Sequence, residues 1–218
     1  MIHMIGYIAI GIGIVCSIII LFDILKHPQH MKIMNVVWPM QGLYLGPIAI
    51  WAYWRMGRQK GHEGHGHGDK PFWQSVFVST SHCSSGCILG DVIGAPLVFI
   101  TGLHLLGSKL FTDYSVEFTL AYIFGIFFQL FSIVPMSENL GWGKGVVKAI
   151  KADTLSLVAF EVGMFGWMTI VHFYIFPGGL KPIDIRFWFM MQIAMILGAA
   201  TSYPANWFLV KRGIKHQM

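Results

Sequence analysis

The sequence predicts an all-α integral membrane protein, a bundle of about six transmembrane helices with a short amphipathic helix on the cytoplasmic surface. Three observations carry this. Of 218 residues, 55% are hydrophobic and only 11% charged, where soluble domains carry roughly one-quarter charged residues. Mean hydropathy is +0.62. Apolar stretches of the about 20 residues needed to cross hydrocarbon recur near 4–24, 35–55, 76–106, 115–136, 155–176 and 185–210. They form a single transmembrane domain over residues 1–218. Each reads as a helix, because a lone span must satisfy its backbone hydrogen bonds internally, and the alternation of an outer-membrane barrel is missing.

The first stretch starts Met1-Ile2-His3-Met4, without Lys or Arg, and no small-residue cleavage site follows, so it reads as a retained span rather than a signal peptide. Cys16 follows Val15, which is no lipoprotein context. Asp23, His27 and His30 near its end read as an interfacial polar cluster, with a metal entry site as the competing reading. In the second, third and sixth stretches, Pro47, Pro96 and Pro204 mark kinks or broken-helix points.

Residues 57–70 form a flexible, His/Gly-rich cytoplasmic loop, in which His62, His65 and His67 with Glu63 offer weak divalent-metal ligands. It reads as an accessory metal-loading loop or as a plain solvated linker. In the fourth stretch Glu117 sits close enough to the start to reach water, and Gln129 lies deep enough to bond across helices. Lys144, Lys148 and Lys151 oppose Val147 and Ile150, the pattern of a surface helix on the cytoplasmic leaflet. Six crossings divide the 15 Lys and Arg residues ten to five, which places both termini in the cytoplasm. The net charge of +5 is then retention charge, and nucleic acid is excluded as a partner.

Two stripes carry the chemistry. Cys83, Cys87 and Asp91 follow one another at four-residue spacing, and Glu161, Met164, Met168 and His172 at spacings of three, four and four, so each set shares one helix face. Ionisable groups cost at least a few kcal/mol in hydrocarbon, so both faces should point into the bundle. Counting at 1.5 Å per residue sets Cys83 level with Glu161 and Met164, Cys87 with Met164 and Met168, and Asp91 with His172. Thiols four apart on a helix are poorly placed for a disulfide, so the free thiol is expected.

Sulfur and imidazole donors select a soft transition metal, Cu(I) first, with His82 beside Cys83 completing the ligand set. The expected function is therefore membrane transport or handling of copper or another soft metal ion. Two alternatives stay open: a membrane oxidoreductase binding haem or quinone through His82, His104 or His172, and a non-catalytic subunit of a larger membrane complex. Taken singly, Met and Cys at helical spacing are ordinary packing material. No nucleotide-binding loop, nucleophile triad or zinc-protease helix is present. Expected partners are the lipid bilayer and a metal ion, and assembly as a homo-oligomer stays open.

The runs His82-Cys83-Ser84-Ser85-Gly86-Cys87-Ile88-Leu89-Gly90-Asp91, Phe128-Gln129-Leu130-Phe131-Ser132-Ile133-Val134-Pro135-Met136, Asp153-Thr154-Leu155-Ser156 and Tyr203-Pro204-Ala205-Asn206-Trp207 continuing through Lys215 resemble a family of bacterial integral-membrane domains without an assigned function. The likeness covers most of residues 35–218. It implies a fold unit and a bacterial inner-membrane location, and no chemistry.

Overall fold

The computed structural model describes residues 1–58, 71–104, 107–136 and 142–215. Among them the regular structure is helical. Five helices are long and apolar enough to cross a membrane: α1 (Ile2–Lys26), α4 (Phe72–Thr101), α5 (Lys109–Met136), α6 (Trp142–Ile170) and α7 (Ile185–Lys211). α6 runs on into a π-helical turn over Val171–Ile175. The remaining helices, α2 (Met34–Leu45) and α3 (Pro47–Ala52, continued as a π turn over Tyr53–Gly57), occupy the second apolar stretch.

That stretch folds back on itself. Gly46 takes φ 56° and ψ −128°, open to glycine but strained for other residues, and Pro47 has no amide hydrogen with which to continue the helix. The chain therefore reverses. The rings of Trp38 and Tyr53 lie 5.6 Å apart, and Gly57 packs against the Trp38 indole so closely that a Cβ there would overlap it. In a straight helix Trp38 and Gly57 would stand almost 30 Å apart at ~1.5 Å per residue. The hairpin enters and leaves at the end of α1 that carries Asp23, whose carboxylate accepts bonds from Tyr53 Oη at 2.8 Å and Arg58 Nε at 3.1 Å. Irregular backbone survives at membrane depth only when protein covers it, and buried Gly46 leans on Ile12 of α1.

Because this stretch is a hairpin, five helices among the described residues, rather than six, are long and apolar enough to cross a membrane. α1 and α7 consequently run parallel: Gly6 packs on Ile185 and Phe189, and Gly13 on Gln192. The start of α1 and the end of α7 therefore lie at opposite ends of the bundle, not at the same end as six crossings would require. Lys26, Arg58, Lys211 and the start of α6 share one end, here called the basic end; Lys109, Lys181 and Arg186 share the far end. There Asp184 caps α7 by accepting the Arg186 amide at 2.9 Å and is held below the usual carboxylate range by the Arg186 side chain.

A second difference concerns Lys144–Lys151. These residues are not a separate surface helix but the first turns of α6, which starts at Trp142. With no residue breaking the helix before Asp153, the amphipathic segment and the span join into one rod.

Candidate functional site

The site is organised by α4, which presents three polar or small-residue stripes to three neighbours. Gly86, Gly90 and Gly94 face α5: a Cβ on Gly86 would lie 2.6 Å from Gly125 Cα, and one on Gly90 would run into the Ala121 backbone. Such spacing lets two membrane helices approach at backbone distance. Ser81, Ser84 and Ser85 face the hairpin. There Gln41 Nε2 donates to the Ser81 carbonyl at 2.9 Å and to Ser85 Oγ at 3.0 Å, while Tyr44 Oη donates to Gln41 Oε1 at 2.5 Å.

The third stripe is Cys83, Cys87 and Asp91, all fully buried, and it faces α6. Cys83 Sγ lies 3.3 Å from Ser156 Oγ. The Cys87 thiol reaches Cys83 on its own helix and sits beside the Glu161 carboxyl. Asp91 feels the charges of Glu161 and of Glu117 from α5. All three cysteines are free. Met164 is fully buried in the same cluster as the two thiols, with Met168 packed at its edge.

The two stripes thus meet, but displaced by about one helical turn from the counted depths. Cys83 is level with Ser156 and Cys87 with Glu161, because α6 is one continuous rod from Trp142 rather than a span beginning near 155. The displacement carries His172 out of the thiol group. It lies at the far end, against Gly179, where it and His104 face Asp113. His82 is also apart from the thiols. It points toward α5, edge-on to the Phe128 ring at 6.2 Å, and neither ring nitrogen has a hydrogen-bond partner. His62, His65 and His67 lie outside the described residues.

Several carboxylates in this core are unanswered. Both oxygens of Asp91 and both of Glu161 are buried without a hydrogen bond, although Glu161 stands next to the Cys87 thiol. Glu117, expected at water, is buried. Gln129 is as deep as expected, but its Oε1 has no partner. Among the described residues no three His, Cys, Asp or Glu side chains are gathered tightly enough to hold a metal ion by themselves.

Toward the basic end the thiol stripe continues into an ion pair that the sequence did not reveal. Ser156 Oγ donates to Asp153 Oδ1 at 3.2 Å, and Lys215 Nζ donates to the same oxygen at 2.7 Å and to Asn206 Oδ1 at 2.9 Å. Lys215 and Asp153 are both fully buried. Burial, the largest single influence, would lower the lysine pKa; the charge and hydrogen bond of Asp153, with smaller help from the neighbouring thiols, together reverse it, and the ammonium is held above its ordinary value. Asp153 pairs with this distant lysine, not with Lys144, Lys148 or Lys151.

This architecture, a glycine-laced α4 packed on α5 with its thiol stripe against α6, falls within the stretch matched by a family model. Domain of unknown function DUF4396 matches residues 72–215. The chain belongs to the DUF4396 family. The DUF4396 match starts at α4 and ends at Lys215, so the thiols, the carboxylates and the ion pair all fall inside it, and the α2–α3 hairpin falls outside. No curated protein and no solved structure matches the chain.

Proposed function

We propose that this protein transports or handles a soft monovalent metal ion, Cu(I) first, across or within the membrane. One observation carries the reading: two free, fully buried thiols one helical turn apart on the face of α4 that meets α6, with the buried carboxyl group of Glu161 whose oxygens receive no hydrogen bond. Unpaired ionisable groups are costly in a lipid-shielded core, and a bound cation would offset that cost. Two sulfurs satisfy Cu(I), which accepts near-linear coordination, whereas a structural zinc site asks for four ligands. Cys83 and Cys87 are the primary donors, Met164 a third sulfur, and Glu161 and Asp91 balance charge. Met168 and His172 lie further along α6 toward the far end and suit a relay role. In this reading His62, His65 and His67 collect metal before it enters.

Orientation follows from the five-crossing fold. Among the described residues, Lys109, Lys181 and Arg186 belong to the far end and the other ten Lys and Arg residues to the basic end. A ten-to-three division is steeper than the ten-to-five division of six crossings. It makes the basic end cytoplasmic and puts residue 1 on the opposite side. In this reading the membrane is the bacterial inner membrane that the family resemblance implies.

The test is metal analysis of the purified protein after loading with Cu(I), alongside Cys83→Ser plus Cys87→Ser. Stoichiometric copper in the parent and loss in the double variant supports the reading. Equally low copper in both at micromolar metal ends it.

A further inference from the structure

The chain beyond α7 is turned back into the bundle. Gly213 takes φ 68°, and the amides of Ile214 and Lys215 both bond the Leu209 carbonyl, at 3.0 and 3.3 Å. This reversal drives the Lys215 side chain between α6 and α7, where it loses all contact with solvent. Its seat is built for a cation. Asn206 donates its amide to Ser202 O and Oγ, both at 3.0 Å, which leaves its Oδ1 aimed at the ammonium. Ser202 Oγ is itself held by the Ser156 carbonyl at 2.9 Å.

Neither partner is saturated. An ammonium has three hydrogens to donate, and among the described residues it meets two acceptors, Asp153 Oδ1 and Asn206 Oδ1. Asp153 Oδ2 is buried with no partner. One hydroxyl, Ser156 Oγ, separates this seat from Cys83 Sγ, and the nearest titratable group of α4 on that side, His82, is buried with neither ring nitrogen bonded.

We propose that Asp153 and Asn206 form a monovalent-cation site at the basic end of the thiol core, and that the Lys215 ammonium is its tethered occupant. A free cation and the lysine exclude one another there. The seat itself stands on its own geometry; that a transported ion passes through it, displacing Lys215, rests on the transport reading above.

Lys215→Ala in the full chain, purified in detergent, empties the seat without altering its oxygens. It should melt lower than the parent and let a small hydrophilic maleimide alkylate Cys83 several-fold faster. Ethylammonium, which fits where the lysine head was, should reverse both changes in a saturable way. Tetramethylammonium, which has no hydrogen to donate, should not, and neither cation should act on Lys215→Ala plus Asp153→Asn. If ethylammonium does no more than tetramethylammonium, or acts equally on the double variant, the proposal is overturned. Lys215→Met, which keeps the stem and vacates only the ammonium position, serves the same comparison with ammonium ion in place of ethylammonium if the alanine variant does not fold. Copper binding does not enter this readout, so failure of the metal reading and failure of the cation seat are told apart.

Discussion

Two fully buried charged regions lie end to end along α4 and α6, and the fold treats them differently. At the basic end Asp153 is answered by Lys215, Asn206 and Ser156. About two to three turns further along, Asp91 and Glu161 are equally deep and have no donor. Taking an ion from water costs several kcal/mol even after relaxation, and a well-placed counter-charge offsets it. In the transport reading proposed above, the two bare acids are answered by the passing cation, whereas Asp153 is answered by a residue of the chain itself.

The largest effect should come from breaking the answered pair. Lys215→Ala strands Asp153 and should destabilise the protein by about 3–5 kcal/mol, while Asp153→Leu with Lys215→Met, which removes both charges, should cost far less. Denaturant or thermal unfolding of the three proteins checks this. Equal losses in the single and paired variants would show that packing, not the uncompensated carboxylate, sets the stability of this end.

Next in size is Gly90→Ala, which acts on the unanswered region alone. Its methyl would meet the Ala121 backbone, so α5 must shift and carry Glu117 with it. The expected cost is about 1–3 kcal/mol for overpacking, with weakened metal binding and no change in the ethylammonium response of Lys215→Ala. A change in that response would mean that the two regions are one unit.

Glu161→Gln should be milder. Since Glu161 receives no hydrogen bond in the protein, replacing it with a neutral amide removes no existing partner, and the stability change should stay within about 1 kcal/mol. Metal affinity should fall nonetheless. A large stability loss, measured by the same unfolding experiment, would mean that Glu161 is a structural charge like Asp153.

How much of this was legible in the sequence depends on the range of the contact. Cys83, Cys87 and Asp91 declare a shared face through four-residue spacing alone, and so do Glu161 and Met164; their meeting followed because buried polar faces have nowhere else to go. Depth along α6 was misplaced by a turn, since an amphipathic start and an apolar span read as two helices when nothing in the sequence says that the backbone continues between them. The hairpin at Gly46 was hidden for a related reason: an apolar run of 20 residues has the same composition whether it crosses or reverses, and the signal, Gly46-Pro47, looked like a kink. Lys215 was out of reach altogether. It lies 62 residues from Asp153, and in sequence it is one more basic residue after a span.

The smallest expected effect is a dependence on alkaline pH confined to the answered region. Burial works to lower the folded-state pKa of Lys215, but the facing Asp153 carboxylate raises it, and the net effect holds it above the ordinary lysine value. A group with a raised folded value contributes stability that is fully present below its unfolded pKa and is lost as pH rises through the folded one. The stability gap between the parent and Lys215→Met should therefore stay constant from about pH 7 to pH 10 and narrow only above the ordinary lysine range. Melting curves across that interval measure it. A gap that widened from about pH 8 upward would mean that the folded ammonium gives up its proton more readily than an unfolded lysine, and the distinction between an answered and an open charge would fail at the end where it is most sharply drawn.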